Sequence, residues 1–193
     1  MGETAAECGI GAIKRGGNGP AFGEEGRGRY GRRVDSSRLG NGKATAVLFA
    51  REGARVFAVD VNGKAAAETK SIIDREGGIC EIYTADVSNG EEVRAVVRRC
   101  LDVFGRIDIL HNNVGILDSG GPVEESEETR DRIVRVNLKS MFLTCKNVLP
   151  QMVRQFEVEG RGGAIVNIGL IADVRWTGLP YIGISATRRR RGR

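Results

Sequence analysis

Short apolar runs alternate with amphipathic segments through the middle of this chain. Four runs have the length and composition of buried strands, and they cover residues 55–60, 79–85, 107–111 and 163–168. Between them, apolar residues recur at helical spacing, most clearly in the stripe of Val93, Val96, Val97, Cys100, Leu101 and Phe104. Strands that are apolar on both faces and joined by helices need right-handed crossovers. The pattern therefore predicts an α/β fold with a doubly wound parallel sheet.

Helix signals fall on the segments that flank these strands. The spacing predicts four helices: over 44–50, from Asn62 to about 76, from Ser88 onward, and from about 127 to 156. Asn62 is a good N-cap, and Ser88 with Glu91 has the spacing of a capping box. Pro150 lacks an N–H group and is predicted to kink the last helix.

The chain divides into three zones. Residues 1–38 are rich in glycine and arginine and keep neither a helical nor a strand period, so we expect a disordered arm. The regular pattern extends over 39–187, and residues 188–193 form a basic tail. Lys and Arg exceed Asp and Glu by 30 to 25, a formal net charge of +5. Because the tail alone holds five arginines, the rest of the chain is neutral, and no nucleic-acid partner is expected.

Other features of the composition exclude several classes of protein. No run of about 18 apolar residues occurs, so no membrane span is predicted, and no secretory signal is visible. The four cysteines are widely spaced, which is typical of reduced thiols in a cytoplasmic protein. His111 is the only histidine and lies inside an apolar run. We therefore interpret it as a structural residue and expect no metal site.

Candidate binding residues follow the strands, because the ligands of a parallel sheet bind at the carboxyl ends of its strands. Asp60 lies twenty residues beyond Gly40, a spacing at which an acidic side chain accepts the ribose hydroxyls of an adenosine. The alternative is that Asp60 caps the following turn, and the spacing alone leaves both interpretations open. A carboxylate here would repel a 2′-phosphate, which favours NAD over NADP. Leu39 and Gly40 precede the first helix, where a phosphate loop belongs.

The ends of the next two strands supply the remaining candidates. Asp86 and Val87 follow the second apolar run, where an adenine ring would lie. Asn113 and Gly115 follow the third run. An asparagine amide there can tie neighbouring strands together, and a glycine lets the backbone approach a ligand closely.

In this order the segments resemble the short-chain dehydrogenase/reductase family over residues 39–187. The matching stretches are LGNGKATAVLFAREGARVFAVD, TADVS, FGRIDILHNNVGI, VNLKSMFLTCKNVLP and GGAIVNI. The resemblance implies a Rossmann-like, partial dinucleotide-binding domain. It also implies NAD(P)-dependent hydride transfer to or from a small alcohol or carbonyl substrate, and a homo-oligomer paired through the long helix.

The resemblance marks four catalytic positions, of which one matches. Asn137 corresponds to the family's asparagine, which holds a proton-relay water. The serine, tyrosine and lysine positions are held instead by Leu170, Ile184 and Arg188. Because leucine and isoleucine have no proton to exchange, we expect impaired catalysis. The alternative is a non-catalytic module that binds a nucleotide or a partner.

The two ends of the chain depart from the family pattern. The family begins with an apolar strand that leads into a glycine-rich loop, and no such strand is predicted before residue 36. The sheet is therefore expected to be incomplete, and the family pattern also continues beyond residue 187. Shifted reading frames at both ends, or a degenerate paralogue, are the two explanations that the sequence leaves open.

Overall fold

The computed structural model describes residues 10–14, 40–117 and 123–169. In chain order the elements within these ranges are β1 (Ile10–Lys14), α1 (Asn41–Arg51), β2 (Arg55–Asp60), α2 (Gly63–Arg75), β3 (Ile79–Thr84), α3 (Gly90–Phe104), β4 (Ile109–Asn112), α4 (Glu127–Val134), a π-helical turn (Arg135–Lys139), α5 (Ser140–Glu159) and β5 (Ala164–Asn167). The strands form one sheet in the order β3-β2-β1-β4-β5.

Two parallel strand pairs flank a central antiparallel strand. β2 and β3 run parallel, as do β4 and β5. β1 lies between β2 and β4 and runs antiparallel to both. Because β2 and β4 thereby form backbone hydrogen bonds on both sides, neither leaves an open edge inside the sheet. The fold is the predicted Rossmann-like α/β fold, with a sheet of mixed rather than purely parallel direction.

The expectation that residues 1–38 supply no strand is wrong. Ile10–Lys14 forms a strand in the central position that was predicted to be missing. The segment escapes the sequence criteria because it is only five residues long and Gly11 interrupts its apolar residues. Its backbone still offers hydrogen-bonding groups to both neighbours, which suffices for pairing between two strands. Residues 1–9, 15–39 and 170–193 lie outside the described ranges, so the disordered arm and the basic tail stay predictions.

The helices on either side of β3 begin at asparagine caps. Asn62 caps α2, as predicted, by accepting hydrogen bonds from two N–H groups of the first turn. α3 is capped by Asn89, whose side chain accepts from the Glu91 N–H at 2.9 Å. The predicted cap at Ser88 is therefore wrong by one residue. The Ser88 N–H instead donates to the side chain of Asp86, which ends the preceding loop.

The long helical segment is interrupted at its centre. We predicted one helix over 127–156 with a kink at Pro150. The structure has α4, a π-helical turn at Arg135–Lys139, and then α5, which continues through Pro150 to Glu159. A π-turn takes one more residue than an α-helical turn. The spacing of apolar residues over so short a stretch cannot reveal that extra residue.

Two apolar clusters lie on opposite faces of the sheet. β2 supplies Phe57 and Val59 to the first cluster, and Val56 and Ala58 to the second. The first cluster packs beneath α3 and α5, and the second packs beneath α1 and α2. Alternate residues of one strand are thus buried on both faces, as in a doubly wound sheet.

The described thiols and helices bear on the expectations drawn from composition. Cys80, Cys100 and Cys145 are free. Burial raises the pKa of Cys80 to about 11 and that of Cys100 to about 12, so both stay protonated and unreactive at neutral pH. None of the helices in the described ranges has both the length and the apolar character that a bilayer crossing needs. In the same ranges, no three metal-ligating side chains come together.

His111 is buried in β4 and contacts α1. Its ring packs edge-on against Phe49, with the two ring centroids 6.1 Å apart. Desolvation by burial lowers the pKa of the imidazole below its ordinary value. These contacts are those of a residue that fills space between the sheet and a helix.

We expect the burial of His111 to make the fold sensitive to mild acid. The imidazole of the unfolded chain titrates near about pH 6.5, whereas in the fold it titrates lower, so the unfolded chain binds the proton first as the pH falls. The free energy of unfolding is therefore unaffected by His111 above that pH. Below it, the free energy declines by at most about 1.4 kcal/mol per pH unit.

Urea unfolding between about pH 7.5 and 5 measures this dependence. His111→Val places a strand-forming residue that does not titrate at this position. The variant should therefore lose the part of the pH dependence that His111 contributes. An identical slope in the variant would show that His111 does not titrate differently in the two states.

Candidate functional site

The carboxyl ends of four strands meet at one edge of the sheet. Asp60 of β2 lies opposite Thr84 of β3, and Asn112 of β4 lies opposite Asn167 of β5. Because β1 is reversed, it presents its first residue, Ile10, at this edge. The predicted site residues that follow β2, β3 and β4 therefore come to the same edge, where ligands of such sheets bind.

The two carboxylate oxygens of Asp60 differ in their surroundings. The residue is almost fully buried, with 3% of its surface exposed. Its Oδ1 accepts a hydrogen bond of 2.8 Å from the Asn62 N–H, so one oxygen stabilises the turn that leads into α2. Its Oδ2 is buried and has no hydrogen-bond partner in the described part of the chain. An acceptor in this state can bind a ligand hydroxyl.

The surroundings of Asp60 stabilise its negative charge only in part. Desolvation raises the pKa of the carboxyl, while the Asn62 N–H, the charge of Lys43 and the Val61 N–H lower it. A buried acceptor that lacks its hydrogen bond costs about 1–3 kcal/mol. A donor from outside the protein, such as a ribose hydroxyl, would recover that free energy. The residues at the end of β2 therefore fit the ribose of an adenosine.

The first turn of α1 is open at its N-terminus. Gly40 occupies the cap position without a side-chain hydrogen bond, and the turn carries no acidic residue. Lys43 adds a positive charge to this turn. Helix N–H groups that lack a side-chain cap bind anions such as phosphate. Gly40, a predicted phosphate-loop residue, thus lies at a helix N-terminus that has no side-chain cap. Leu39 lies outside the described residues.

The loop after β3 is fixed by its own hydrogen bonds. The Asp86 N–H donates to a carboxylate of α3 at 2.7 Å, and Asp86 Oδ1 accepts from the Ser88 N–H at 2.9 Å. Asp86 is exposed, whereas Val87 is buried in the first cluster. The Ala85 N–H donates to the Asp60 carbonyl at 3.1 Å. The predicted adenine-binding loop and the predicted ribose-binding residue are therefore bonded directly to each other.

Asn112 ties the end of β4 to its neighbours through its side-chain amide. Its Nδ2 donates to Asn167 Oδ1 at 2.8 Å, and its Oδ1 accepts from Thr144 Oγ1 at 2.9 Å. One amide therefore joins β4 to β5 and to α5. Asn113, next in the chain, is buried, and Gly115 is half-buried. Two asparagines at strand ends were the available signal, but their pairing becomes visible only with the strand register.

Asn137 lies in the π-helical turn and is fully buried. Its Oδ1 accepts from the Ile116 N–H at 2.8 Å, and its Nδ2 donates to the Ile116 carbonyl at 3.0 Å. Both ends of the buried amide thus hold the segment that follows β4, so the side chain is occupied by a group of the protein itself. The positions of the replaced catalytic residues, Leu170, Ile184 and Arg188, lie outside the described ranges.

Replacing Asn137 should destabilise the fold through the segment that it holds. Asn137→Ala leaves the N–H and the carbonyl of Ile116 without these partners. Two buried unsatisfied groups cost roughly 2–6 kcal/mol, and the lower end is expected because Ile116 is half-buried. Lys139→Ala, an exposed change in the same turn, is the control and should cost less than about 0.5 kcal/mol. Urea unfolding followed by circular dichroism measures both. Equal losses in the two variants would mean that the amide does not stabilise this segment.

Comparisons with known proteins point to one family. A family model described as short chain dehydrogenase matches residues 37–178. An uncharacterized oxidoreductase of Bacillus subtilis is 38% identical over 135 residues, which are 69% of this chain and 47% of the relative. A 3-oxoacyl-[acyl-carrier-protein] reductase of Thermotoga maritima is 34% identical over 141 residues, 73% of this chain and 55% of the relative. The chain spans about half the length of these curated relatives.

The fold agrees with the sequence match. A crystal structure of a short-chain dehydrogenase/reductase from Burkholderia xenovorans has a TM-score of 0.73 and 40% identity to this chain, and the match covers 77% of this chain and 57% of that one. The family model includes the strands from β2 to β5 and the edge with Asp60, Asn112 and Asn137. The chain therefore belongs to the short-chain dehydrogenase/reductase family.

Proposed function

We propose that this chain is the dinucleotide-binding part of an oxidoreductase that transfers hydride between NAD and a small alcohol or carbonyl compound. The observation that carries the proposal is the buried Oδ2 of Asp60, which lacks a partner at the carboxyl edge of the sheet. Family membership supports the class of reaction, because the relatives are named as an oxidoreductase and a reductase.

Each part of the adenosine diphosphate half of NAD has a matching group on this edge. The ribose hydroxyls donate to Asp60, whose free oxygen needs a donor. The pyrophosphate lies at the open first turn of α1, after Leu39 and Gly40. The adenine lies against the loop of Asp86 and Val87, which is bonded to the end of β2. A carboxylate at Asp60 would repel a 2′-phosphate, so NAD is preferred to NADP.

The segment after β4 lies beside the nicotinamide half in this proposal. Asn113 and Gly115 bring the backbone close to the cofactor there. The segment is held at both ends, by the bonds of Asn112 at the strand end and by the amide of Asn137 at Ile116. Asn137 would hold a proton-relay water through its backbone carbonyl, because its side chain is occupied.

The bound cofactor supplies hydride transfer, and the chain must move the proton of the substrate oxygen. The positions for that task hold Leu170 and Ile184, whose side chains neither donate nor accept a proton. Arg188 keeps the positive charge of the family's lysine but has no hydroxyl at 184 to activate. We therefore propose that turnover is slow in the chain as it stands.

We also propose a homo-oligomer built on α5. Large apolar side chains lie exposed along this helix and the π-turn before it, and they are Leu138, Phe142, Leu149, Val153 and Phe156. A contiguous exposed apolar face of this kind is typical of a protein interface.

We further propose a cytoplasmic location. The three cysteines of the described chain are free thiols, as expected in a reducing compartment.

A non-catalytic nucleotide-binding module is the second candidate function. The same observation at Asp60 supports it, and the loss of the proton-transferring side chains favours it over an efficient enzyme. The two candidates differ only in turnover, so binding and turnover have to be measured separately.

Asp60→Asn should weaken NAD binding by roughly tenfold, because a hydrogen bond to a charged acceptor exceeds that to a neutral amide by about 1.4 kcal/mol. The substitution keeps an oxygen for the Asn62 N–H, so the turn into α2 should persist. Asp74→Asn, on the exposed surface of α2, is the control and should bind like the wild type. Calorimetric titration measures all three. Unchanged affinity in Asp60→Asn would remove the main support of the proposal.

Turnover of the wild-type chain should be undetectable or very slow under conditions where NAD binds. The assay follows NADH oxidation with a panel of carbonyl compounds and NAD reduction with the matching alcohols. The Thermotoga maritima reductase, assayed in parallel, provides the positive control. Rapid turnover by this chain would contradict the proposed impairment, and it would also exclude the non-catalytic candidate.

A further inference from the structure

An ion pair joins the first turn of α1 to α2, and its acidic partner has no role in the site as described so far. Lys43, in the first turn of α1, binds Glu68 of α2, with 2.7 Å between Nζ and Oε2. The Lys43 side chain is mostly covered, with 17% exposed, whereas the Glu68 side chain is 68% exposed. The Lys43 charge also reaches Asp60, since it lowers the pKa of that carboxyl. The ammonium group therefore binds the carboxylate of Glu68 and acts on that of Asp60 only through its charge.

This placement matters for the choice between two dinucleotides. NADP differs from NAD by a phosphate on the 2′-hydroxyl, the group that an acidic residue at the end of β2 would bind. A phosphate at that point is stabilised by a nearby cation, and the attraction weakens as the distance grows. Lys43 is the cation whose charge acts on Asp60, and Glu68 already binds it. Lys64, in the first turn of α2, is an exposed second lysine on the same side of β2.

We infer that Glu68 determines cofactor specificity, because it binds Lys43 and so withholds from a 2′-phosphate the ammonium group that the first turn of α1 supplies at this edge of the sheet. The preference for NAD then rests on two carboxylates. Asp60 repels the phosphate, and Glu68 binds the lysine whose charge acts on Asp60. This inference rests on the proposed function, because it assumes that the adenosine ribose binds at Asp60.

The electrostatics keep the pair intact at neutral pH. The hydrogen bond from Lys43, together with its charge, lowers the pKa of the Glu68 carboxyl, so Glu68 is ionised at neutral pH. A phosphate that approaches Lys43 must therefore compete with a carboxylate already in hydrogen-bond contact. Removing Glu68 frees the ammonium group, and the affinity for the phosphate should then rise about fivefold.

Nucleotide titrations of the full-length chain test the inference without any need for turnover. NAD affinity is measured by calorimetry, and NADP affinity is measured by competition with NAD. In Glu68→Gln, the ratio of the NADP to the NAD dissociation constant should fall about fivefold. Asp74→Asn removes a different exposed carboxylate of α2, one that binds Lys70, and should leave the ratio unchanged.

Two double variants identify the cation while keeping the net charge equal to that of the wild type. Glu68→Gln with Lys43→Met should restore the wild-type ratio, because the freed ammonium group is gone. Glu68→Gln with Lys64→Met should keep the shifted ratio. Circular dichroism verifies that every variant is folded.

The possible results separate this inference from the proposed function. An unchanged ratio in Glu68→Gln, or an equal shift in Asp74→Asn, overturns the role of Glu68 while NAD binding still supports the proposed function. If the shift disappears with Lys64→Met but persists with Lys43→Met, the phosphate binds Lys64 rather than Lys43. That result also overturns the inference. Failure of the wild-type chain to bind either nucleotide overturns the proposed function, and the inference with it.

Discussion

A carboxylate that is buried but only half satisfied organises the functional edge of this sheet. Taking Asp60 out of water costs free energy, which the hydrogen bond from Asn62 and the charge of Lys43 offset in part. The same residue is linked to the loop after β3 through the Ala85 N–H. The turn into α2 is therefore bonded to the side chain of Asp60, and the β3 loop is bonded to its backbone carbonyl. Its Oδ2 remains without a donor among the described residues.

The edge exists because β2 and β4 are held on either side of one central strand. β1 fills that place in the reverse direction, which backbone pairing tolerates because N–H and C=O groups line both sides of any strand. The reversal has one consequence for the site. A strand parallel to its neighbours would end beside Asp60, whereas β1 begins there and ends at the opposite edge of the sheet, opposite Arg55.

The sequence predicted the periodic features well and the single-residue features poorly. Four strands and the α3 stripe follow from apolar spacing, because burial on two faces or on one helical face recurs along the chain. The distance from Gly40 marked Asp60 as a candidate, but spacing cannot say which carboxylate oxygen stabilises the turn and which stays free. The bond between Asn112 and Asn167 joins positions 55 residues apart and depends on strand register. β1 is shorter than the pattern can resolve.

The polar residues of this edge fall into two physical classes. Asn112 and Asn137 bind groups of the protein itself, so they stabilise the fold whether or not a ligand is present. Both partners of each bond lie within the described chain. The loss of hydroxyls at the family's catalytic positions therefore removes no hydrogen-bond partner from Asn112 or Asn137. Asp60 belongs to the other class, because a buried oxygen without a donor lowers stability. Folding alone does not account for a carboxylate in that state, whereas a ligand that donates to it does.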